Sequence, residues 1–444
     1  MQAQQSLSIL TGLSESVERS TFRRAGTEKL YIQPEIELII CCARTSVDSQ
    51  TAGRIKDLVG EKIDWDYSLR TATSHGVMPL FYRTLNAQCP KDIPEKILDG
   101  MRDYFRLHAQ RNLLITRELL RLIRLLESHG ISVLPYKGPV LSASAYGDIS
   151  LRFFSDLDIL VHKSDIIAAK DVLLSEGYKL DRQLTEEREV AHLESHDQKD
   201  LAFVSKDGIV KVELHWQIAS LVLFPLDVES LWDRTERMPL GGLMVPNLPA
   251  EDMLLVLCVH GAKHYFARLE WICDISELIR TNPSLNWESV VMQAGRLGTR
   301  RALFSGLLLA NEIMNTPLPD DILKSIYSDG EARALAADMR TSLFREPDSW
   351  SEIFDRGGHR ISLRDGLKDR MRVRFYFYMR YLRIVLTPNA QDKETMSLPG
   401  SLSFLYYLIR PVRLVKSYGP ILIEHAVNRL RSRRSKISKS QKPD

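Results

Sequence analysis

Between Phe154 and Val161 the chain reads Phe-Ser-Asp-Leu-Asp-Ile-Leu-Val, two carboxylates one residue apart in an apolar run. In an extended strand alternate side chains share a face, so Asp156 and Asp158 point the same way with their Cα atoms roughly 7 Å apart. Leu157, Ile159 and Val161 then turn to the other face and are available to pack. Aspartate is disfavoured in strands and almost never buried unless paired. Two aspartates on one side of a strand therefore ask for positive charge, and a hard divalent cation such as Mg²⁺ supplies it. The alternative for a bare Asp-x-Asp is a solvated strand end with two surface carboxylates, so the surrounding residues decide.

A third carboxylate stands in Val210-Lys-Val-Glu-Leu-His-Trp216, where alternation puts Glu213 and His215 on one face and Val212 and Leu214 on the other. If this strand lies beside the Asp-x-Asp strand, Glu213 completes an acidic site for one or two Mg²⁺. Such a site suits phosphoryl or nucleotidyl transfer, in which the metal neutralises phosphate charge and a carboxylate assists the attacking hydroxyl. Upstream, Tyr136-Lys137-Gly138-Pro139 leaves one predicted strand and enters a helix. Gly138 lets the backbone approach a phosphate, the helix N-terminus favours an anion, and Lys137 adds a compact cation. By itself Lys-Gly is equally an ordinary strand-to-helix turn. Arg152 has two readings: it clamps the same phosphates, or it pairs with Asp148.

The elements that position these residues alternate with purely helical stretches. From Glu35 to about Ser128 the pattern is helical, with Trp65, Leu69, Ala72 and His75 at three- and four-residue spacing, followed by Met78, Leu80, Phe81 and Leu85. Asn112 to Leu126 is the clearest helix, with Leu113, Thr116, Leu119, Leu120, Ile123 and Leu126 on one stripe and Gly130 closing it. Strands are expected at Ile131 to Pro135, Ser155 to Val161, Leu201 to Ser205 and Ile209 to Trp216, the last two joined by the hairpin turn Lys206-Asp207-Gly208. Val140 to Tyr146 reads as a short helix, and Ser164 as the cap of another that runs to about Glu176. Beyond Pro249 the chain is helical again, with Glu251 and Asp252 in a first turn, to about Leu386. Thr387 to Gly400 reads as a loop before a last helical segment with Phe404 to Tyr407. The divisions expected are a loosely ordered leader over 1–34, a helical region over 35–129, a mixed core over 130–245, a helical domain over 246–386, a loop and helical segment over 387–428 and a basic tail over 429–444.

Composition excludes several classes. The 444 residues are 44% hydrophobic and 26% charged, as in an ordinary soluble globular protein. The first residues lack the features of a signal peptide and no run of about 18 apolar residues occurs, which makes a cytoplasmic location the expectation. Five cysteines without metal-site spacing are expected to be reduced and mostly buried. A net charge of +3 is too small to imply nucleic acid as partner of the whole chain. The tail from Arg429 to Lys442 is basic, and reads either as a solubilising segment or as a contact for RNA, membrane or an acidic partner.

Taken in order, Leu134-Pro-Tyr-Lys-Gly138, Tyr146-Gly-Asp148 with Leu151-Arg152, Ser155-Asp-Leu-Asp-Ile-Leu-Val161, Gly177-Tyr178 and Glu213-Leu-His-Trp216 resemble the uncharacterised bacterial nucleotidyltransferase family of the DNA polymerase β superfamily. His260-Gly-Ala-Lys263-His264 and Leu269-Glu-Trp-Ile-Cys-Asp274 fit the same pattern, and the resemblance spans about 60–290. It implies an α+β fold, a polymerase β-like nucleotidyltransferase core of small mixed sheet and helices, flanked here by N- and C-terminal helical regions. It also implies that Asp156 and Asp158 are the superfamily's metal-binding pair and Glu213 the third carboxylate, with Lys137, Gly138, Arg152 and Ser155 toward the nucleotide. The superfamily's usual Gly-Gly or Gly-Ser turn is replaced by Lys137-Gly138-Pro139, so its handling of the triphosphate does not carry over, and Lys137 is the replacement expected.

His260 and His264 stand four apart on a predicted helix, a spacing that suits zinc, but no acidic third ligand stands beside them. They are read, with Lys263, as structural or substrate-contacting, His215 as supporting Glu213 or packed, and Trp216 and Trp271 as core. The function expected is Mg²⁺-dependent transfer of a nucleoside monophosphate from an NTP, ATP first, to a hydroxyl acceptor. Its alternatives are a binding protein without turnover and a toxin-like enzyme acting on tRNA.

Overall fold

A computed structural model describes residues 33–182, 192–195, 198–219, 228–345 and 363–387, together with 402, 405–407 and 410–414. The chain divides into two units, Met1–Gln33 and Pro34–Asp444, and every element below belongs to the second. The expected leader, most of the loop and segment after Thr387, and the basic tail lie outside the described residues.

Four short helices come first: α1 (Pro34–Cys42), α2 (Ser49–Val59), α3 (Trp65–Ser74) and α4 (Met78–Gln88). Asp48 and Asp64 cap α2 and α3, accepting from the amides of Thr51 and Tyr67 at 2.7 and 2.9 Å. Then α5 runs for 34 residues, Glu95–Ser128. Its buried stripe is rotated from the one expected: Leu113 is 61% exposed, and the inner face carries Asn112, Ile115, Thr116, Leu119 and Leu122. The polar Asn112 is tolerated inside because its amide donates to the carbonyls of Ile149 and Arg152 at 2.6 and 3.0 Å, a contact no periodicity rule weighs.

The sheet has the order β1 (Val133–Pro135), β2 (Asp156–Val161), β5 (Lys211–His215), β4 (Asp200–Val204), β3 (Lys179–Leu180). Among the described strands only β2 and β5 pair in parallel. Helix α6 (Gly138–Tyr146) crosses from β1 to β2, and α7 (Ile166–Ser175) follows β2. The β4–β5 hairpin forms as expected, whereas the expected cap at Ser164 does not: a 3-10 turn over Lys163–Asp165 comes first, and the Ser164 hydroxyl donates to Asp165. A second hairpin, β6 (Glu236–Leu240) and β7 (Leu243–Asn247), turns on Gly241 and Gly242, whose φ of 56° and 81° suit a two-residue turn. The Gly-Gly pair between two short runs was its sequence signal and went unread.

After a short helix α8 (Glu229–Trp232) the chain forms α9 (Ala250–Lys263), α10 (Leu269–Thr281), α11 (Trp287–Arg296), α12 (Arg300–Met314), α13 (Asp320–Ser328), α14 (Gly330–Ser342) and α15 (Leu367–Leu386). Two apolar clusters result. One joins α5, α7 and the sheet face bearing Leu157, Ile159, Val161, Val212 and Leu214. The other joins α1–α4 with α9–α14 and takes Leu134, Tyr136 and Leu160 from the opposite face. Alternation therefore turns Asp156 and Asp158 toward the α9–α10 side, the side Leu160 shares. All five cysteines are free, four of them buried.

Candidate active site

The parallel pairing of β2 and β5 sets Asp158 opposite Glu213, Leu160 opposite His215 and Asp156 opposite Lys211. Asp158 thus reaches both inward groups of β5. His215 Nε2 lies 3.0 Å from Asp158 Oδ1 and 3.5 Å from Glu213 Oε2, and one ligand atom from each of the three residues falls within 4.8 Å of the other two. His215 is fully buried, with the Tyr136 ring edge-on at 5.5 Å, and the Tyr136 hydroxyl is 3.5 Å from Asp158. Asp156 lines the same cavity.

Cations balance this corner. Lys137 Nζ is 3.7 Å from Asp158, Lys211 Nζ 3.0 Å from Glu213, and Lys199 Nζ 3.4 Å from Asp200 and 4.0 Å from Glu213. The protonation of the carboxylates follows. Burial works against the charge on Asp158, but Lys137 and the His215 hydrogen bond overcome it and hold its carboxyl well below the usual range. The His215 hydrogen bond brings Glu213 down to about 2. Asp156 moves the other way, raised first by burial and then by the charges of Asp158 and Glu213.

Asp156, Asp158, Glu213, Lys137, Lys199 and Asp200 line a cavity of about 440 Å³ that also has Gly138, Ser155, His260, Lys263, His264 and Trp271 in its wall. The sequence-predicted residues are thus brought together. The turn into α6 lies close against β2: Gly138 has φ +55°, and a Cβ there would sit 3.3 Å from the Asp156 carbonyl oxygen. The Lys137 ammonium donates to His260 Nδ1 at 3.3 Å. Burial, then the charge of Lys137, holds His260 far below the usual imidazole range, so it remains a neutral acceptor. The rings of His260, His264 and Trp271 are clustered at 4.8 to 5.5 Å. Trp216 is core, 3% exposed, whereas half-buried Trp271 packs on the core and also lines the cavity.

Arg152 departs from the reading that pairs it with Asp148. It lines the cavity, but its guanidinium makes a bidentate pair with Asp274 of α10 at 2.7 and 2.9 Å, and the Tyr146 hydroxyl donates to the same carboxylate at 2.7 Å. Asp148 instead accepts from the Ser150 amide at 2.8 Å. Asp274 is 122 residues from Arg152, beyond the reach of local spacing. Ser155 is exposed, and its carbonyl accepts from Arg111 at 3.4 Å.

Sequence reasoning passed over Tyr136, Lys199, Asp200, Arg268 and Glu270, all of which border the site. Glu270 is 6% exposed; Oε1 pairs with Arg268 at 3.0 Å and Oε2 has no hydrogen-bond partner among the described residues. Burial, against the pull of Arg268 and Arg152, raises its carboxyl to about 7. Its signal was an acid in the otherwise apolar start of the Leu269-Glu-Trp-Ile-Cys run.

No curated protein matches the chain. A family model described as uncharacterised nucleotidyltransferase matches residues 61–315, a stretch from α3 to the end of α12 that contains every residue of the cavity. With more than half of its length so matched, the chain belongs to the uncharacterised nucleotidyltransferase family.

Proposed function

We propose that the protein transfers a nucleoside monophosphate from an NTP, ATP first, to a hydroxyl acceptor, with Mg²⁺ held by Asp156, Asp158 and Glu213. One observation carries this reading: Asp158 and Glu213 meet across the only parallel strand pair of the described sheet, in a cavity that Asp156 also lines. The donor set fits a divalent cation, because acceptor oxygens of Asp158 and Glu213 lie within 4.8 Å of each other at buried or half-buried positions. When bound, the ion supplies neutralisation of phosphate charge and alignment for in-line displacement.

The chain's own residues do the rest. Lys137, half-buried and aimed by His260, meets phosphate oxygens beside the N-terminus of α6, where the first turn, Pro139 apart, presents backbone amides that favour an anion. Arg152, its charge already answered by Asp274, ties the segment before β2 to α10. The acceptor oxygen attacks the α-phosphorus, the bond to the β-phosphate oxygen breaks, and pyrophosphate leaves with the electron pair. The hydroxyl proton goes to a carboxylate, and Asp156 has its proton affinity raised above the ordinary value. Three carboxylates in one cavity with a lysine support turnover over binding alone. The acceptor is an open choice between small molecules, tRNA ends and protein side chains.

Calorimetric titration of ATP with Mg²⁺ into the wild type and into Asp156→Asn/Asp158→Asn, with circular dichroism as the folding control, tests the proposal. Metal-dependent binding in the wild type that is lost in the folded variant is expected. Equal binding in both proteins, or none in either, overturns it.

A further inference from the structure

His215 enters the acidic corner between two carboxylates, not beside Glu213 alone. We infer that its Nε2 is itself a ligand of the metal, adding an imidazole to the carboxylates and turning the site's preference from Mg²⁺ toward a transition ion such as Mn²⁺; this rests on the metal-dependent reading above.

The fold leaves the ring one direction. Strand alternation puts His215 on the face of Glu213, and the parallel register sets Asp158 opposite Glu213, within reach of the His215 ring one pleat further along. The imidazole is fully buried, its Nε2 3.0 and 3.5 Å from two carboxylate oxygens that can only accept. On the far side of the ring Nδ1 is 3.3 Å from the Gln217 carbonyl oxygen, another obligate acceptor. With the proton on Nδ1 and donated to Gln217, Nε2 turns its lone pair toward Asp158 and Glu213, and only a cation reconciles three converging electron pairs. A backbone carbonyl behind a ligating histidine is the usual way its tautomer and orientation are fixed.

The ring also has a metal-free partner set. Lys199 Nζ lies 3.4 Å from Nδ1, so Nε2–H donates to Asp158 while Nδ1 accepts from the lysine. Going from one set to the other moves a proton from Nε2 to Nδ1 with no ring motion, and Lys199 retains Asp200 at 3.4 Å. Oxygen donors alone suit Mg²⁺; adding an imidazole to them shifts the preference toward transition ions.

Mn²⁺ alone, titrated into the full chain and followed by electron paramagnetic resonance, tests this without any substrate. The bound ion is expected to show nitrogen couplings in electron spin echo modulation that change when histidine is labelled with ¹⁵N. His215→Gln is expected to abolish them and weaken Mn²⁺ binding by more than the roughly 10- to 100-fold that loss of a group behind a ligand costs, while His260→Gln retains them. Mn²⁺ that binds, is lost in Asp158→Asn and shows no nitrogen coupling overturns the ligand role of His215 and leaves the transferase reading standing. Couplings that vanish with His260→Gln instead also overturn it. Mn²⁺ that fails to bind, or binds equally to Asp158→Asn, overturns both. The labelled wild type and His260→Gln decide the matter even if His215→Gln fails to fold.

Discussion

Arg152 and Lys137 stand in the wall of one cavity, each answering a buried aspartate, yet the two pairs are built differently. Arg152 meets Asp274 through two parallel hydrogen bonds of 2.7 and 2.9 Å, and Tyr146 takes up a further position on the same carboxylate. Lys137 stands 3.7 Å from Asp158, shares its ammonium with His260, and faces a carboxylate that His215 also contacts. Geometry of the first kind commits two guanidinium donors to one carboxylate, and burial of both partners makes the pair an all-or-nothing element of the fold. In the second kind the lysine is within reach of charge but not satisfied by it, and three carboxylates stand near fewer direct contacts than they can accept. A closed pair holds the cavity wall, whereas an open one is where phosphate and metal compete for partners.

The largest effect expected is on the closed pair. Asp274→Ala leaves the Arg152 guanidinium buried without its carboxylate, and stability measured by denaturant unfolding should fall by about 3–5 kcal/mol. Lys137→Met is the counterpart at the open pair, where Asp158 keeps His215 and Tyr136. There the loss should appear in binding: calorimetry should show Mg²⁺-ATP affinity reduced by about 10- to 100-fold, the worth of a hydrogen bond to a charged group. A protein in which Lys137→Met unfolds as readily as Asp274→Ala, with nucleotide affinity intact, breaks the contrast.

Glu270 lies between these extremes, one oxygen answered by Arg268 and the other by nothing among the described residues. Its carboxyl, raised to about 7, retains in the folded protein a proton that the unfolded chain loses near its ordinary value. The folded state therefore binds more protons between roughly pH 4.5 and 7, and the stability this group contributes is present below that window and lost as pH rises through it. The unfolding free energy of the wild type should fall across the window by up to about 3 kcal/mol relative to Glu270→Gln, which carries no such proton. Parallel profiles for the two proteins would show that Glu270 is ionised throughout, a closed partner of Arg268.

The same contrast marks what the sequence disclosed. Alternation alone placed Asp156 and Asp158 on one face and Glu213 with His215 on another, because a strand's period of two needs no tertiary information. The meeting of Glu213 and Asp158 required β2 and β5 to be parallel neighbours, which strand alternation left as a condition and the family resemblance touched only by matching Glu213 to the third carboxylate. The partner of Arg152 was out of reach: Asp148 was near in sequence, and only the packing of α6 on α10 brings Asp274 to it. Asn112 was hidden for a related reason, since its burial is decided by two carbonyls of the segment before β2, and that rotates the inner stripe of α5 away from Leu113.

A smaller effect is expected where the open pair is held to the sheet. Gly138 follows Lys137 at φ +55°, a conformation that costs a side-chain-bearing residue roughly 1–2 kcal/mol. The added Cβ of Gly138→Ala would meet the Asp156 carbonyl oxygen at 3.3 Å, tight enough that the turn must give by a few tenths of an ångström. That carbonyl belongs to the first residue of β2, so any relief moves Lys137 and the acidic strand apart. Gly138→Ala should therefore lower stability by about 1–2 kcal/mol and weaken Mg²⁺-ATP binding in the calorimeter, whereas Gly147→Ala, at φ +69° with nothing within 4 Å of its Cβ, should lower stability alike and spare binding. Both losses arise from backbone strain of one kind, and only the first is next to the carboxylates. Equal nucleotide affinity in the two variants would mean that the spacing between turn and strand is not what the open pair depends on.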